Sequence, residues 1–581
     1  MLPANENLTT KSRAALGDTS AGMVAQALIY SLQAELGTYY RVIALLESNL
    51  HSFTLKSLFL HLNPTLLRLR MCAALLGASE NTRGGQLISI LDSYTQHGDP
   101  IVSKFVSDLL EGVSGPFFEF LRSWIWDGEL LDRFEEFFIG VNEPNQHQDQ
   151  DDQDSLNRNE SWKVWESKFV FREEFVPSFI NPVFAKKIYS TGKSINFIKY
   201  SCSEEDWQRT RAELQKLSSS SSLHYQDIEG LEETIKSAYK ICSKELFYIF
   251  FTKLKLLDHL KALKDFLLLG RGDFISLLIE SLGPSLNKPA SSLYRHNLTA
   301  TLESAIRATS DDQALMNRLD VRMLEFTPLD LGWDVFMLEY KPQSPLEVVL
   351  SPAAMGGYMK TFRMLWRMKR VEYALDGGWK AVMLGSKSDR YKSDFHRARL
   401  VMSEMIHFIR QLQCYVQLEV IECGWQEFEK RVMLEGGDLD SLVEAHGLYL
   451  DRLVSKGMLL NPKAGRENSC LLLAEDCFKV ILAFKASIDS LKAYVLSDTS
   501  ESDTRNSARS TPVQGSIPAL DEIRRLISAQ AKLFNELVLD LISALTAQPD
   551  PDLRFLSVRL NFSLFYLRPK SLGGNTKQTR R

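Results

Sequence analysis

Trp124-Ile125-Trp126-Asp127-Gly128-Glu129-Leu130, followed by Phe134-Glu135-Glu136-Phe137-Phe138, decides how this chain is read. Two tryptophans, three phenylalanines and an interleaved acidic set fall within one short stretch. Aromatic side chains supply large rigid area for packing or docking, and no catalytic chemistry needs this arrangement. The Asp127-Gly128 pair is a turn signal that ends one helix and starts another element. The stretch therefore reads as a helix end, a tight turn and an aromatic corner in a large helical protein.

Outward from that corner, helical periodicity dominates. Between Ala25 and Leu50 the apolar residues Ala25, Leu28, Ile29, Leu32, Leu36, Tyr39, Tyr40, Ile43 and Leu46 fall mostly at three- and four-residue steps. That spacing predicts an amphipathic helix. Similar patterns predict helices over Leu55–Leu76, Gly84–Tyr94, Val102–Trp126, Glu245–Leu269, Ala300–Ala308, Met355–Leu375, Phe395–Glu427, Leu439–Val454, Leu471–Val495 and Asp521–Leu545. No fixed repeat period emerges, which excludes a consensus solenoid. One place departs from helix. Trp333 to Tyr340 is rich in β-formers, and Pro345 to Leu350 follows a polar turn, so a short hairpin is predicted near 333–350. Ser351 then caps the next helix, with Pro352 at its first position.

The chain has 581 residues, too many for one core, so at least two domains are expected. Low-complexity runs at Gln146–Asp154, Ser218–Ser222 and Ser497–Gly515 carry little apolar surface and read as loops, as does the basic tail Lys577–Arg581. The serine run precedes a long apolar helix, which places the domain boundary near residue 245. The predicted fold class is mainly all-α: two helical domains, 1–245 and 246–581, forming an elongated bundle rod with the short hairpin in the second.

Composition excludes several function classes. Apolar content of 45% and charged content of 24% are ordinary, and the net charge is −5. Such a chain has no global pull toward nucleic acid or an anionic membrane. Seven cysteines lie far apart without a C-x-x-C pair, so neither a zinc site nor a disulfide framework is suggested. Met1 to Glu6 has neither a basic nor an apolar signal region. The most apolar long stretch, Val401–Ile421, is interrupted by Glu404, His407, Arg410 and Gln413, so no membrane span is expected. A soluble, cytosolic chain is the reading.

The motif candidates for chemistry are weak. Thr191-Gly192-Lys193-Ser194 resembles the end of a phosphate-binding loop, but the required upstream glycine is Lys187. A helix stop and restart is the plainer reading. Gly270-Arg271-Gly272-Asp273 lacks the third glycine of a dinucleotide turn and reads as a helix-breaking turn. Glu404 with His407, and Glu444 with His446, complete no metalloprotease pattern, so they read as polar positions on buried helices. No nucleophile elbow is present. Lys360, Arg363, Arg367 and Arg370, spaced by three, four and three, form one basic stripe on a helix. Tyr358, Phe362 and Leu365 continue the neighbouring face. Arginine beside exposed aromatics is typical docking chemistry, and a solvated helix face is the plainer alternative.

Longer segments carry a family resemblance. Tyr94-Thr95-Gln96-His97-Gly98-Asp99-Pro100, the Trp124–Phe138 corner, Val176-Pro177-Ser178-Phe179 and Thr191-Gly192-Lys193-Ser194-Ile195-Asn196-Phe197 resemble the N-terminal domain of the gamma-tubulin complex components. Leu267–Ile275, Leu293–Thr299, Gly332–Phe336, Leu365–Tyr373 and Leu553–Leu560 resemble that family's C-terminal domain. The Gly-Asp-Pro and Trp-Asp-Gly-Glu-Leu segments are more similar to component 3, a spindle pole body component, than to component 2. The likeness runs from about residue 25 to about 567, without the N-terminal extension usual for component 3.

The resemblance implies a scaffold rather than an enzyme, needing no cofactor and no metal. Its N-terminal domain would pair laterally with component 2 and other family members. Its C-terminal domain would bind gamma-tubulin, and through it template microtubule minus ends indirectly, in the cytoplasm at a microtubule-organising centre such as a centrosome or spindle pole. Under this reading Tyr358, Phe362, Arg363, Arg367 and Arg370, with Trp333 nearby, belong to the gamma-tubulin face. Trp124, Trp126, Asp127, Glu129 and Phe137 form a structural corner or a lateral contact. A helical tethering-complex subunit in vesicle traffic is the rival class.

Overall fold

The computed structural model describes residues 22–48, 54–79, 82–142, 165, 168–218, 225, 227–309, 318–327, 330–385, 389–434, 438–457, 470–504 and 520–566. The Gln146–Asp154 run, Ser219–Ser222 and the Lys577–Arg581 tail lie outside them. Contacts divide the chain into two units. The first comprises Met1–Lys255 with Gln343–Val349 and Gly437–Leu442, and the second comprises the remainder.

The first unit is built on α1 (Met23–Ser48), α2 (Leu55–Ala78), α3 (Gly84–Thr95) and α4 (Pro100–Asp127). A two-stranded antiparallel ribbon follows, β1 (Ile139–Val141) with β2 (Phe169–Phe171). It is completed by α5 (Pro182–Ser201), α6 (Glu204–Ser218) and α7 (Ile228–Tyr248). Helix α4 is the axis of this core. Asp99 caps it by accepting the Ile101 amide at 3.0 Å, and Pro100 occupies its first position. Val106, Leu110, Val113, Phe117, Leu121 and Trp124 recur at three- and four-residue steps on its buried face. The helix stops at Gly128, whose φ of 65° lies in the left-handed region that glycine adopts without a Cβ penalty.

The aromatic corner is a lock between α4 and α5. Trp124 is fully buried, and its Nε1–H donates to the Ile188 carbonyl at 2.9 Å. Its ring lies against Gly192 so closely that a Cβ there would sit 2.1 Å from the indole. Asn196, one turn further along α5, donates from Nδ2 to the Gly128 carbonyl at 2.8 Å. The expected helix stop at Thr191–Ser194 is therefore absent. These residues lie in the middle of one continuous helix, and the glycine is there for close approach of the indole rather than for a loop. Lys193, the would-be phosphate lysine, pairs with Asp440 of the first unit at 3.1 Å and lies 4.2 Å from the Trp165 ring centre.

The acidic residues of the same stretch hold backbone ends. Asp132 accepts the amides of Phe134 and Phe137, at 3.1 and 2.8 Å. Buried Glu136 accepts the Val24 amide at 3.0 Å, at the open N-terminus of α1. Burial pushes the Glu136 carboxyl above the ordinary carboxylate range.

The expected helix over Glu245–Leu269 is several pieces. α7 ends in a π-helical turn, Ile249–Lys253, and α8 (Leu256–Ala262) ends in another, Leu263–Leu267. Lys255 and Leu269 have φ of 48° and 54°, so the backbone turns sharply at both points. The contact division falls between Lys255 and Leu256. Residue 245 lies inside α7, one turn past buried Cys242.

The second unit continues with α9 (Gly272–Leu286) and α10 (Arg295–Thr309), then β3 (Leu319–Met323) and β4 (Phe336–Tyr340). The long helices are α11 (Pro352–Gly385), α12 (Lys392–Cys414), α13 (Cys423–Leu434) and α14 (Leu439–Lys456, whose first residues belong to the first unit). A π-helical stretch, Tyr415–Glu422, bridges α12 and α13. The unit closes with α15 (Cys470–Thr504), α16 (Leu520–Thr546) and α17 (Pro551–Leu560). α15 runs through Ser497 to Thr504, where a loop is expected from composition. The hairpin is also corrected. β4 pairs antiparallel with the upstream strand β3, Leu319 opposite Tyr340 and Met323 opposite Phe336. Leu319 and Val321 supply the inward alternation a strand needs. Pro345 has no amide to donate, and burial does not alternate there (Glu347 alone is half-buried between buried neighbours), so Leu346–Val348 form a 3₁₀ turn instead. All seven cysteines are free thiols.

Trp124→Ala should cost about 3–5 kcal/mol of unfolding free energy, the range for emptying a fully buried aromatic site. Gly192→Ala should destabilise by overpacking, roughly 1–3 kcal/mol, and the two changes together should cost less than their sum. Denaturant titration measures all three, and strict additivity would contradict direct contact. Glu136 yields a pH-dependent test. Its raised native pKa means the folded chain holds the proton better than the unfolded chain. Relative to Glu136→Gln, the parent should gain stability as pH falls through the raised native pKa toward the ordinary carboxylate range, and lose it as pH rises through that native pKa. A pH-independent difference between the two proteins would contradict the assignment.

Candidate functional site

The basic stripe lies on α11, and the structure separates its members. Lys360 and Arg363 are exposed and make no ion pair among the described residues. Arg367 is paired with Glu475 of α15, and Arg370 with Asp334 at 2.6 Å. Lys369 pairs with Glu372 at 2.8 Å, and Gln413 donates to the same carboxylate. The stripe is thus open at its N-terminal half and tied to neighbouring elements further along.

The aromatics expected to be exposed beside it are not. Tyr358, Phe362 and Trp333 are all buried. Phe362 stacks on Trp366 with ring centres 5.7 Å apart, and Trp333 and Phe336 lie 5.3 and 4.9 Å from the same indole. Tyr358 Oη and His446 Nε2 are 2.9 Å apart, and burial holds the Tyr358 hydroxyl well above the ordinary phenol range. The reason for the correction is helical phase. Tyr358 and Phe362 sit on the Met355–Leu365 core face, about 100° per residue away from the arginines. These aromatics brace the face that carries Lys360 and Arg363, and they do not reach its surface.

Further along α11, from Lys369 onward, the second unit holds a cleft of about 890 Å³. Trp333, Arg370, Tyr373 and Lys380 line it, with Asn287 accepting from the Trp333 Nε1–H at 3.0 Å. Charges of both signs line the rest, including Lys369, Lys485, Glu280 and Asp376. Burial, then the nearby Glu372, raises the Asp376 carboxyl above its usual range. Such mixed, opposed charge suits a polar protein surface rather than one small anion.

The corner residues of the first unit also divide. Trp124 and Phe137 are fully buried and closed to any partner. Trp126 is partly buried against the core. Asp127 is exposed. Glu129 bonds Lys199 at 2.6 Å and Tyr200 at 3.1 Å, and the Lys199 bond leads in holding its carboxyl below the usual range.

Among the described residues no group of three or more His, Cys, Asp or Glu could hold a metal ion. His407 is exposed and His446 is buried, on different helices. No helix is long and apolar enough to cross a membrane among those residues. One surface feature was missed from sequence. Phe555, Val558 and Phe562 are exposed at steps of three and four, opposite the buried Leu553, Leu556 and Leu560 of α17. Arg559 lies 5.9 Å from the Phe555 ring centre. That helix is apolar on two opposite faces, and periodicity alone does not say which of them meets a core.

Comparison with known proteins follows the same two-unit division. A family model described as gamma tubulin complex component N-terminal matches residues 6–253, and one described as gamma tubulin complex component C-terminal matches residues 256–566. The spindle pole body component alp6 of Schizosaccharomyces pombe is 35% identical, over 96% of this chain and 67% of its own length. Gamma-tubulin complex component 3 of Homo sapiens is 32% identical over 94% of this chain and 63% of its own. Gamma-tubulin complex component 2 of Arabidopsis thaliana is 27% identical over 76% of this chain. The chain spans about two thirds of the length of the curated relatives it matches.

Proposed function

The chain belongs to the gamma-tubulin complex component family, and from that premise we propose that it is a scaffold of microtubule nucleation. The observation that carries the reading is the presence of both family halves, in order, across nearly the whole chain. The second unit holds gamma-tubulin, and the first pairs side by side with a sister component. Free tubulin subunits assemble slowly because the first contacts cannot offset the entropy of association. Holding several gamma-tubulins in lateral register makes later encounters effectively intramolecular. The chain's work is positional, at a microtubule-organising centre of the cytoplasm, and the nucleotide belongs to gamma-tubulin. The continuous helix through Thr191–Ser194 supports that division of labour. Nothing among the relatives points to the vesicle-tethering alternative.

The gamma-tubulin face is the open half of the α11 stripe, Lys360 and Arg363, continued by Arg367 and Arg370. Tyr358, Phe362 and Trp333 support it from beneath. Mobile cations without intramolecular partners are available to an acidic partner surface, whereas paired ones must first be released. Lys360→Glu with Arg363→Glu should weaken capture of purified gamma-tubulin by about tenfold or more, with unchanged helicity and melting temperature. Arg367→Glu should instead lower the melting temperature, because it turns against Glu475. Undiminished capture by the Lys360/Arg363 variant would contradict the assignment of this face.

A further inference from the structure

Helix α2 stands apart in the first unit. Only Cys72 and Leu75, near its C-terminal end, are buried. Before them, Leu55 is 88% exposed, Phe59 63% and Leu60 62%. Leu55, Phe59, Asn63, Leu67 and Arg70 follow steps of four, four, four and three, so they form one outward row on the helix. Lys56 and Leu60 flank that row, and Lys56, Asn63 and Arg70 are all exposed. The whole helix carries Lys56, His61, Arg68 and Arg70 and no carboxylate. Arg68 pairs with Glu35 of α1 at 3.6 Å. Solitary exposed leucines need no explanation, but an aligned row of them marks an interaction surface.

We propose that the Leu55–Arg70 row of α2 is the seat of one acidic amphipathic helix supplied by a partner protein. The row has the pattern of a helix-in-groove anchor set, with apolar residues a turn apart. Its charge is of one sign, so the complementary helix carries carboxylates opposite Lys56 and Arg70. Asn63 decides between a helix and a lipid surface. At the centre of the row its amide would be drawn into the acyl region of a bilayer, at the cost of an unpaired polar group. Across a helix–helix seam it meets a polar side chain and fixes the register.

A designed peptide of about three heptads, leucine in the seam, one asparagine at its centre and glutamate flanking, is the probe. Binding to the full-length chain is followed by fluorescence anisotropy. The same peptide with lysine in place of glutamate is the charge control, and vesicles of phosphatidylserine and phosphatidylcholine are the lipid control. The acidic peptide should bind. Affinity should fall at least about tenfold for Leu55→Ser with Phe59→Ser and, separately, for Lys56→Glu with Arg70→Glu. All four positions are exposed, so the melting temperature of each variant should match the parent. Absent binding of the acidic peptide, equal binding by parent and variants, or equal binding of the lysine peptide would overturn the proposal. Vesicle co-sedimentation that depends on Leu55 and Phe59, with no peptide binding, would overturn it in favour of a lipid surface.

Discussion

The contact between the Trp124 indole and Gly192 is the constraint on which the first unit depends. Only a residue without a side chain lets α5 come this close to α4. The approach then brings the Ile188 carbonyl within reach of the indole nitrogen and the Asn196 amide within reach of the Gly128 carbonyl. Gly128 ends α4 at the point where the chain must turn toward Phe137 and Glu136. Those two residues reach, respectively, the Phe117 side of the core and the N-terminus of α1. A single stretch thus sets the spacing of α5, the end of α4 and the start of α1. A buried ring with its one polar atom satisfied is stable and directional at once.

The second unit applies a comparable device to a different end. Trp333, Phe336 and Phe362 cluster around the Trp366 ring and fix the inner face of α11. With that face held, the cations on the outer face have a set position. Arg367 and Arg370 are further restrained by Glu475 and Asp334. Lys360 and Arg363 lie on the same helix, exposed and without an ion pair among the described residues. That combination is favourable for recognition, because little order has to be imposed on the scaffold when a partner arrives.

Much of this was legible in the residues. The periodic apolar patterns located most of the long helices, and the Asp127-Gly128 pair located the end of α4. What could not be read was contact across long sequence separations. Thr191-Gly192-Lys193-Ser194 looks like a loop until Trp124 is known to rest on its glycine. The strand at Phe336–Tyr340 was visible, but its partner lay upstream at Leu319–Met323, where the short period-two signal is overshadowed by the helix before it. Tyr358 and Phe362 looked available because aromatics near arginines look like a docking set. Their helical phase, counted from the buried Met355, places them inside. The exposed row on α2 and the outer face of α17 had the opposite problem, since apolar periodicity alone does not say which side meets a core.

The most direct measurement is the mass of the complex formed when the full-length chain is mixed with purified gamma-tubulin. A scaffold whose second unit seats gamma-tubulin predicts a one-to-one complex, with guanine nucleotide recovered in proportion to gamma-tubulin and none held by the chain by itself. Separate migration of the two proteins, or nucleotide retained by the chain in the absence of gamma-tubulin, would contradict it.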